Sequence, residues 1–183
     1  MLRSNKPNRA DLLAAQNKTV PDVISPGLHV LFCGINPGLY SGAVGHHFAR
    51  PGNRFWPVLH QAGFTDKLLA PEEEKGLLVA GYGITNLVER ATATADELAS
   101  EELVKGQKRL IGKLKRYQPT IVAILGIGAY RTAFGYPKAT VGEQSELLAK
   151  TMVWVLPNPS GLNAHYSLAN LVDHFRQLRQ AIV

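Results

Sequence analysis

The sequence of 183 residues contains a single cysteine, Cys33. One thiol excludes a disulfide framework and also excludes zinc or iron–sulfur sites built from several thiolates. Long apolar runs are missing as well, because segments 121–125 and 152–156 are far shorter than the roughly 20 residues that cross a bilayer. The basic N-terminus has no apolar stretch behind it, unlike a secretory signal. We therefore expect a cytoplasmic protein without a membrane partner.

Charge of one sign is in modest excess. Lys and Arg number 20 against 14 Asp and Glu, which gives a net charge of +6, and 45% of the residues are hydrophobic. This composition is typical of a globular protein rather than a disordered one. The positive balance favours a polyanionic partner such as nucleic acid only weakly.

The order of apolar and amphipathic segments predicts the fold class. Residues 1–25 are expected to form an N-terminal extension, partly flexible, and residues 26–183 one domain. Strands are predicted at 28–33, 81–87, 120–125 and 152–156, and helices at 10–16, 53–62, 72–78, 101–117 and from 167 onward. Buried strands alternating with helices indicate an α/β protein with three layers, α/β/α, around a short, mostly parallel sheet. Ligands bind such sheets at the carboxyl ends of the strands.

Two asparagine-proline turns follow predicted strands. Asn36 lies in the segment GINPG after the first strand, and Asn158 lies in PNPSGL after the last one. Because both strands are expected to be parallel, the two turns should face one crevice. Between them, the segment GHHFARPGNRFW offers Phe48 as an aromatic platform for a flat ligand, whereas Phe55 and Trp56 are expected in the core.

These segments carry a family resemblance. GINPG, GHHFARPGNRFW, GITNLVER, ILG and LPNPSGL, in this order, resemble the mismatch-specific uracil/thymine-DNA glycosylase family of the uracil-DNA glycosylase superfamily. The GHH segment resembles the thymine-DNA glycosylase branch, and NPSGL resembles the bacterial mismatch-specific uracil-DNA glycosylase branch. The resemblance covers about residues 20–183.

The resemblance implies a DNA repair enzyme. It would flip uracil, with thymine or modified pyrimidines as further candidates, out of duplex DNA that carries a G:U or G:T mismatch. It would then hydrolyse the N-glycosidic bond and leave an abasic site, the first step of base excision repair after DNA damage. Such a hydrolase is expected to be monofunctional and monomeric, with no metal and no cofactor.

The resemblance also assigns residues to the base pocket. Asn36 would position the attacking water, and Phe48 would stack on the pyrimidine. The backbone at Ile35 and Phe48 would bind the edge of the base, Ser41 would lie in a loop near the base or its phosphate, and Asn158 would face the pocket. Ser160 is assigned to the same substrate-binding group.

Further residues are expected at the strand opposite the flipped base. Gly161 and Leu162 would form a wedge that fills the vacated space and contacts the widowed guanine. Asn163 and His165 stand where the bacterial branch commonly places a serine and an arginine, so they are the candidates for the contacts at this position.

Asp96 is a second catalytic candidate. A neutral amide such as that of Asn36 takes no proton near pH 7 and can only orient water, so a carboxylate near the crevice could activate it. The alternative is that Asp96 caps the helix that continues through Glu97 and Leu98.

Two rival functions remain open at this point. One is a non-catalytic nucleic-acid-binding domain of the same fold. The other is a nucleotide-binding enzyme built on the turn from Gly126 to Gly128, which lacks the third glycine of the dinucleotide fingerprint. Histidines 46, 47, 60 and 165 lack the spacing of metal ligands, and Cys33 is expected to be a buried apolar filler.

Overall fold

The computed structural model describes residues 6–182 and contains a central sheet with helices on both faces. The strands are β1 (Val30–Gly34), β2 (Tyr82–Asn86), β3 (Ile121–Leu125), β4 (Gly142–Leu148) and β5 (Thr151–Leu156). The α-helices are α1 (Arg9–Ala14), α2 (Leu39–Val44), α3 (Phe55–Gln61), α4 (Ser100–Tyr117), α5 (Ile127–Phe134) and α6 (Leu168–Gln180). Short 3₁₀ helices span Pro71–Leu78 and Ala95–Glu97.

The sheet has the strand order β2-β1-β3-β5-β4. Strands β2, β1, β3 and β5 are parallel, and β4 is an antiparallel edge strand beside β5. This arrangement confirms the predicted α/β fold with a mostly parallel sheet. Gly34 pairs with Asn86 in the register of β1 and β2, so the carboxyl ends of these strands lie side by side.

Alternate residues of each strand enter two separate cores. In β1, Val30 and Phe32 belong to the apolar cluster that also contains α3 and α6 residues, whereas Leu31 and Cys33 belong to the cluster with α4 and α5. Since successive strand residues point to opposite faces, the sheet is the middle of three layers. Burial raises the pKa of the Cys33 thiol to about 12, which is typical of an inert apolar filler.

Several observed elements differ from the predicted ones. Strand β4 was not expected, because its sequence GEQSELL is polar and alternates between half-buried and exposed residues at the sheet edge. Helix α2 was not expected either. Segment 71–78 forms a 3₁₀ helix rather than an α-helix.

The segment before β1 is joined to the rest of the described chain. Asn8 caps α1 through a reciprocal pair of hydrogen bonds with Asp11, and Val23 forms an isolated antiparallel bridge with Ile84 of β2. The division into an N-terminal extension (residues 1–25) and one domain (residues 26–183) stays a prediction. Residues 1–5 of the extension lie outside the described part. Within residues 6–182, no helix is both long and apolar enough to cross a bilayer.

Candidate active site

A cleft of about 380 Å³ opens at the carboxyl ends of the parallel strands. Three of the asparagines that line it lie at or just after the end of a strand, each on a different one: Asn36 after β1, Asn86 at the end of β2 and Asn158 after β5. The structure therefore brings the two asparagine-proline turns to one crevice, as predicted. Its volume lies within the range of small-molecule pockets.

The amide of Asn36 is fixed by three acceptors. Its Nδ2 donates to the carbonyl oxygens of Pro37 and Arg90, at 3.2 and 3.0 Å, and to Thr92 Oγ1 at 2.7 Å. Because all three partners accept, the nitrogen must point toward them. Asn36 Oδ1 accepts no hydrogen bond from residues 6–182 and is accessible, so it is free to accept from a water.

Phe48 is held at the wall of the cleft in a left-handed backbone conformation. Its φ is +52°, and the N–H groups on either side are bound: that of His47 to Glu74 Oε2 at 2.8 Å and that of Ala49 to Ser41 Oγ at 3.2 Å. The ring stacks on Phe55 with centroids 4.0 Å apart. It is half-buried and lines the cleft, so a planar ligand can reach it. Positive φ at a non-glycine residue costs free energy and is common at ligand sites.

Ser41 and Ile35 also line the cleft. Ser41 lies in helix α2 rather than in the expected loop, and its hydroxyl is used to bind Ala49 N–H. This hydrogen bond from Ala49 helps to hold the segment that carries Phe48. The carbonyl of Ile35 accepts from Val88 N–H at 2.9 Å, which ties the first asparagine turn to the chain after β2.

The second asparagine turn is closed by its own side chains. Asn158 Oδ1 accepts from Ser160 N–H at 3.1 Å, and the Asn158 carbonyl accepts from Asn163 Nδ2 at 3.0 Å. Asn158 Nδ2 donates to no acceptor within residues 6–182 and is accessible. Asn158, Ser160, Leu162 and Asn163 line the cleft, and the turn presents a free amide donor to it.

Arg54 anchors this turn to the start of α3. Its guanidinium donates to the carbonyls of Ser160, Asn163 and Tyr166 at 2.6, 2.8 and 2.6 Å. Its backbone N–H also donates to the carbonyl of Pro159 at 3.0 Å. No sequence pattern pointed to this role, since the partners lie more than 100 residues further along the chain.

Gly161 and His165 do not line the main cleft. Gly161 borders a smaller neighbouring cleft of about 170 Å³, where a Cβ on it would lie only 2.5 Å from the carbonyl oxygen of Gly52. His165 is exposed, and its N–H donates to Asn163 Oδ1 at 3.2 Å. Leu162 borders both clefts and is 67% exposed, which places an apolar side chain on the surface between them.

Asp96 is exposed and lies at the rim of the cleft. It does not cap a helix: the 3₁₀ turn 95–97 begins after Thr94, whose N–H donates to Glu97 Oε1 at 3.1 Å. The capping alternative is therefore wrong. The carboxylate makes no hydrogen bond within residues 6–182 and is available to the cleft.

The sequence prediction missed two buried polar residues behind Phe48. Asn86 is 7% exposed and lines the cleft, and Glu74 is 5% exposed. Glu74 accepts from His47 N–H and lies 3.0 Å from His46 Nδ1, so it fixes the segment that carries Phe48. A polar residue near the end of the predicted strand 81–87 was the available signal for Asn86.

The turn that starts with Gly126 has a packing role. Gly126 has a φ of +133°, and a Cβ there would lie 3.0 Å from Ile35 Cδ1. A glycine is therefore required where β3 passes into α5, next to the first asparagine turn. This accounts for the glycine without a nucleotide ligand.

Comparison with known protein families shows which family the chain belongs to. The sequence model described as the uracil DNA glycosylase superfamily matches residues 21–182. The chain belongs to the uracil-DNA glycosylase superfamily. This membership indicates that the chain is a DNA glycosylase, a hydrolase that acts on DNA.

The fold agrees with a solved structure. The chain is similar to a candidate uracil DNA glycosylase from Methanosarcina acetivorans whose solution NMR structure is known, with a TM-score of 0.58 and 19% sequence identity. The alignment covers 89% of this chain and 98% of that chain. At this identity the likeness establishes the fold.

Proposed function

We propose that the protein is a monofunctional, mismatch-specific uracil-DNA glycosylase. It flips uracil, with thymine or modified pyrimidines as further candidates, out of a G mismatch and hydrolyses the base–sugar bond. The product is an abasic site, which starts base excision repair. The observation that carries the proposal is the meeting of Asn36, Asn86, Asn158 and the Phe48 ring around one cleft at the ends of three strands.

The cleft suits the transition state of this hydrolysis. As the bond between base and sugar breaks, positive charge develops on the sugar and negative charge on the departing base. Asn158 Nδ2, an accessible donor, can stabilise the oxygens of the departing base. Asn36 Oδ1 accepts a hydrogen from the attacking water and holds it in line with the sugar, which lowers the entropic part of the barrier.

Asp96 supplies the charge that an amide cannot. The sugar of a nucleotide whose base enters the cleft remains near the rim, where the Asp96 carboxylate lies. From there it can stabilise the sugar cation and accept the proton that water releases. Asn36 thus orients the attacking water, and Asp96 contributes the negative charge.

The base is held by stacking and by its polar edge. The Phe48 ring, supported on its other side by Phe55, gives a flat apolar surface. Backbone groups at Ile35 and Phe48 and the amide of Asn86 lie at the wall of the same cleft. The hydroxyl of Ser41 contributes by binding the N–H of Ala49, the residue that follows Phe48.

Leu162 acts as the wedge. Its exposed side chain can enter the base stack at the position that the flipped nucleotide leaves, as apolar wedges do in other DNA-bending proteins. Gly161 and Asn163 shape the turn, and His165, exposed on the same loop, can contact the opposite strand or a phosphate. The net charge of +6 favours the DNA backbone. We propose further that the enzyme acts as a monomer in the cytoplasm.

A direct assay tests the proposal. The purified protein is incubated in chelator with four oligonucleotide substrates, namely G·U, A·U and G·T duplexes and single-stranded U, and abasic sites are then cleaved with alkali. We expect the strongest cleavage from G·U. DNA binding without any alkali-labile product would instead support the non-catalytic domain, and equal cleavage of A·U would contradict mismatch selectivity.

A further inference from the structure

His47 lies directly behind Asn86 and is only 2% exposed. Both nitrogens of its ring are engaged. Nε2 lies 2.9 Å from the carbonyl oxygen of Pro21, and Nδ1 lies 3.3 Å from Asn86 Nδ2. Its backbone is also bound on both sides, because the N–H donates to Glu74 and the carbonyl accepts from Trp56 Nε1 at 3.2 Å. The ring therefore has one position.

The partners of the ring determine its tautomer. A carbonyl oxygen only accepts, so the ring nitrogen that faces Pro21 must carry a hydrogen. Burial lowers the pKa of His47, against the opposing effects of the Pro21 carbonyl and of the Glu74 and Asp22 carboxylates and with a smaller contribution from His46. The ring is then neutral at pH 7, and its Nδ1 carries a lone pair.

The tautomer in turn fixes the amide of Asn86. A lone pair on His47 Nδ1 accepts a hydrogen, so the NH₂ group of Asn86 must face it and Oδ1 must point away. Oδ1 lies over Gly34, where a Cβ would come within 2.5 Å of it and within 3.3 Å of Phe48 Cζ. Glycine at this position keeps the oxygen open to the cleft beside the stacking ring. Asn86 Oδ1 accepts no hydrogen bond from residues 6–182.

We propose that His47 is the positioning residue that makes the cleft selective for uracil and thymine over cytosine. It acts through Asn86, whose oxygen it turns toward position 3 of the pyrimidine. Uracil and thymine carry a hydrogen on N3 and donate to this oxygen, whereas the N3 of cytosine carries a lone pair and is repelled. This inference rests on the proposed function, since it requires a pyrimidine in the cleft.

The discrimination has a clear physical reason. A polar site that must bind a donor rejects an analogue without that donor by large factors, because its own acceptor is left unpaired. Cytosine is a normal base of DNA, so a glycosylase that accepted it would damage the genome. A freely rotating Asn86 amide would offer NH₂ to cytosine as readily as oxygen to uracil. The neutral His47 ring removes this second orientation.

Two substitutions separate this role from a structural one. In His47→Asn, the side-chain oxygen takes the approximate place of Nδ1 and keeps an acceptor toward Asn86, but the Pro21 contact is lost. In His47→Gln, the amide nitrogen takes the approximate place of Nε2 and keeps the Pro21 contact, but no acceptor faces Asn86. His60→Gln, which changes a histidine bonded to the Thr65 carbonyl outside the cleft, is the matched control.

The readout is a ratio of affinities. Duplexes carry cleavage-resistant 2′-fluoro-2′-deoxyuridine or 2′-fluoro-2′-deoxycytidine, both opposite thymine so that neither base has a Watson–Crick partner. We expect the wild type and His60→Gln to prefer the uracil duplex by at least about 30-fold. His47→Asn should keep the preference within about threefold of wild type, and His47→Gln should reduce it to below about threefold.

Each other outcome overturns the inference. The reverse order of the two variants, equal losses in both, or no uracil preference in the wild type would show that His47 serves packing alone. ¹⁵N NMR of histidine-labelled wild-type protein tests the tautomer without any variant, and a hydrogen on Nδ1 of His47 at pH 7 would contradict it. Absence of uracil release from a G·U duplex by the wild type would instead refute the proposed function, independently of the tautomer.

Discussion

Thr92 Oγ1 lies 2.7 Å from Asn36 Nδ2 and fixes the orientation of that amide. The threonine hydroxyl donates its only hydrogen to the carbonyl of Thr94, also at 2.7 Å, so toward Asn36 it can only accept. Thr92 is 1% exposed, and solvent cannot replace it. The chain of bonds from Thr94 through Thr92 to Asn36 therefore leaves Asn36 Oδ1 as the group that faces water.

Removing this hydroxyl should slow excision without weakening DNA binding. Thr92→Val keeps the shape of the side chain but removes the shortest of the three hydrogen bonds from Asn36 Nδ2, so the amide is held less firmly by the carbonyls of Pro37 and Arg90 alone. We expect the single-turnover rate of uracil release to fall about 10- to 100-fold, the cost of a misplaced catalytic group. Thr92→Ser keeps the hydroxyl and should stay within about threefold of wild type. Equal rates for Val and Ser would show that Thr92 does not orient Asn36.

Asp96→Asn tests the carboxylate at the rim. The substitution keeps size and polarity but removes the charge that we assign to the sugar cation and the departing proton. The single-turnover rate should fall by at least about 10-fold, while the affinity for a cleavage-resistant G·U duplex changes little. Glu97→Gln, a neighbouring exposed carboxylate outside the cleft, is the control. Unchanged excision by Asp96→Asn would show that Asp96 has no catalytic role and that Asn36 acts without it.

Arg54 should matter for stability more than an ordinary surface arginine. Arg54→Met leaves the carbonyls of Ser160, Asn163 and Tyr166 without their charged donor, which we expect to cost about 3–5 kcal/mol, since one hydrogen bond to a charged group contributes about 1.5–3 kcal/mol. Arg176→Met is the control: Arg176 pairs with Asp173 at 3.1 Å on the surface, and its loss should cost less than about 1 kcal/mol. Urea unfolding measures both. Similar values for the two variants would contradict the anchoring of the second asparagine turn by Arg54.

The pH dependence of stability should contain a contribution from Glu102. Hydrogen bonds from the Arg90 side chain and then from Ala99 N–H lower the pKa of its carboxyl to about 2. In the unfolded chain the value is about 4.3, so this pair stabilises the fold above that pH and the contribution is lost as the pH falls toward 2.

Glu102→Gln removes that titration. We expect its urea midpoint to change less than that of the wild type between pH 4.5 and 2.5, with the two proteins converging at the acid end. Because Arg90 also supplies a carbonyl to Asn36, the variant should lose some excision activity at pH 7. Parallel pH profiles for the two proteins would show that the ion pair does not titrate with folding.

Local sequence patterns predicted the parts of the fold that depend on burial. The apolar runs of β3 and β5 are buried along almost their whole length, and the helical spacing of leucines in 101–117 matches α4 closely. Strand β4 escaped prediction because its polar sequence pairs only with β5 at the edge of the sheet. Its strand conformation depends on a partner, which a local pattern does not contain.

In the cleft, too, residues with a local sequence pattern were predictable, and residues that depend on distant partners were not. Asn36 and Asn158 were predictable because each follows a recognisable strand in a proline turn. Asn86 was hidden inside a segment that was interpreted as a strand, although its position at the carboxyl end of β2 decides its role. The side-chain contacts of Arg54 and His47 join residues 26 to 112 positions apart, so they emerge only once the chain is folded.

The most direct test of the catalytic cleft is the separation of excision from binding in Asn36→Ala. Wild type and variant are compared in chelator by single-turnover uracil release from a G·U duplex and by affinity for the 2′-fluoro analogue of that duplex. The account predicts a rate at least about 100-fold lower in the variant, with affinity within about threefold. An unchanged rate in Asn36→Ala, or no abasic product from the wild type, would contradict it.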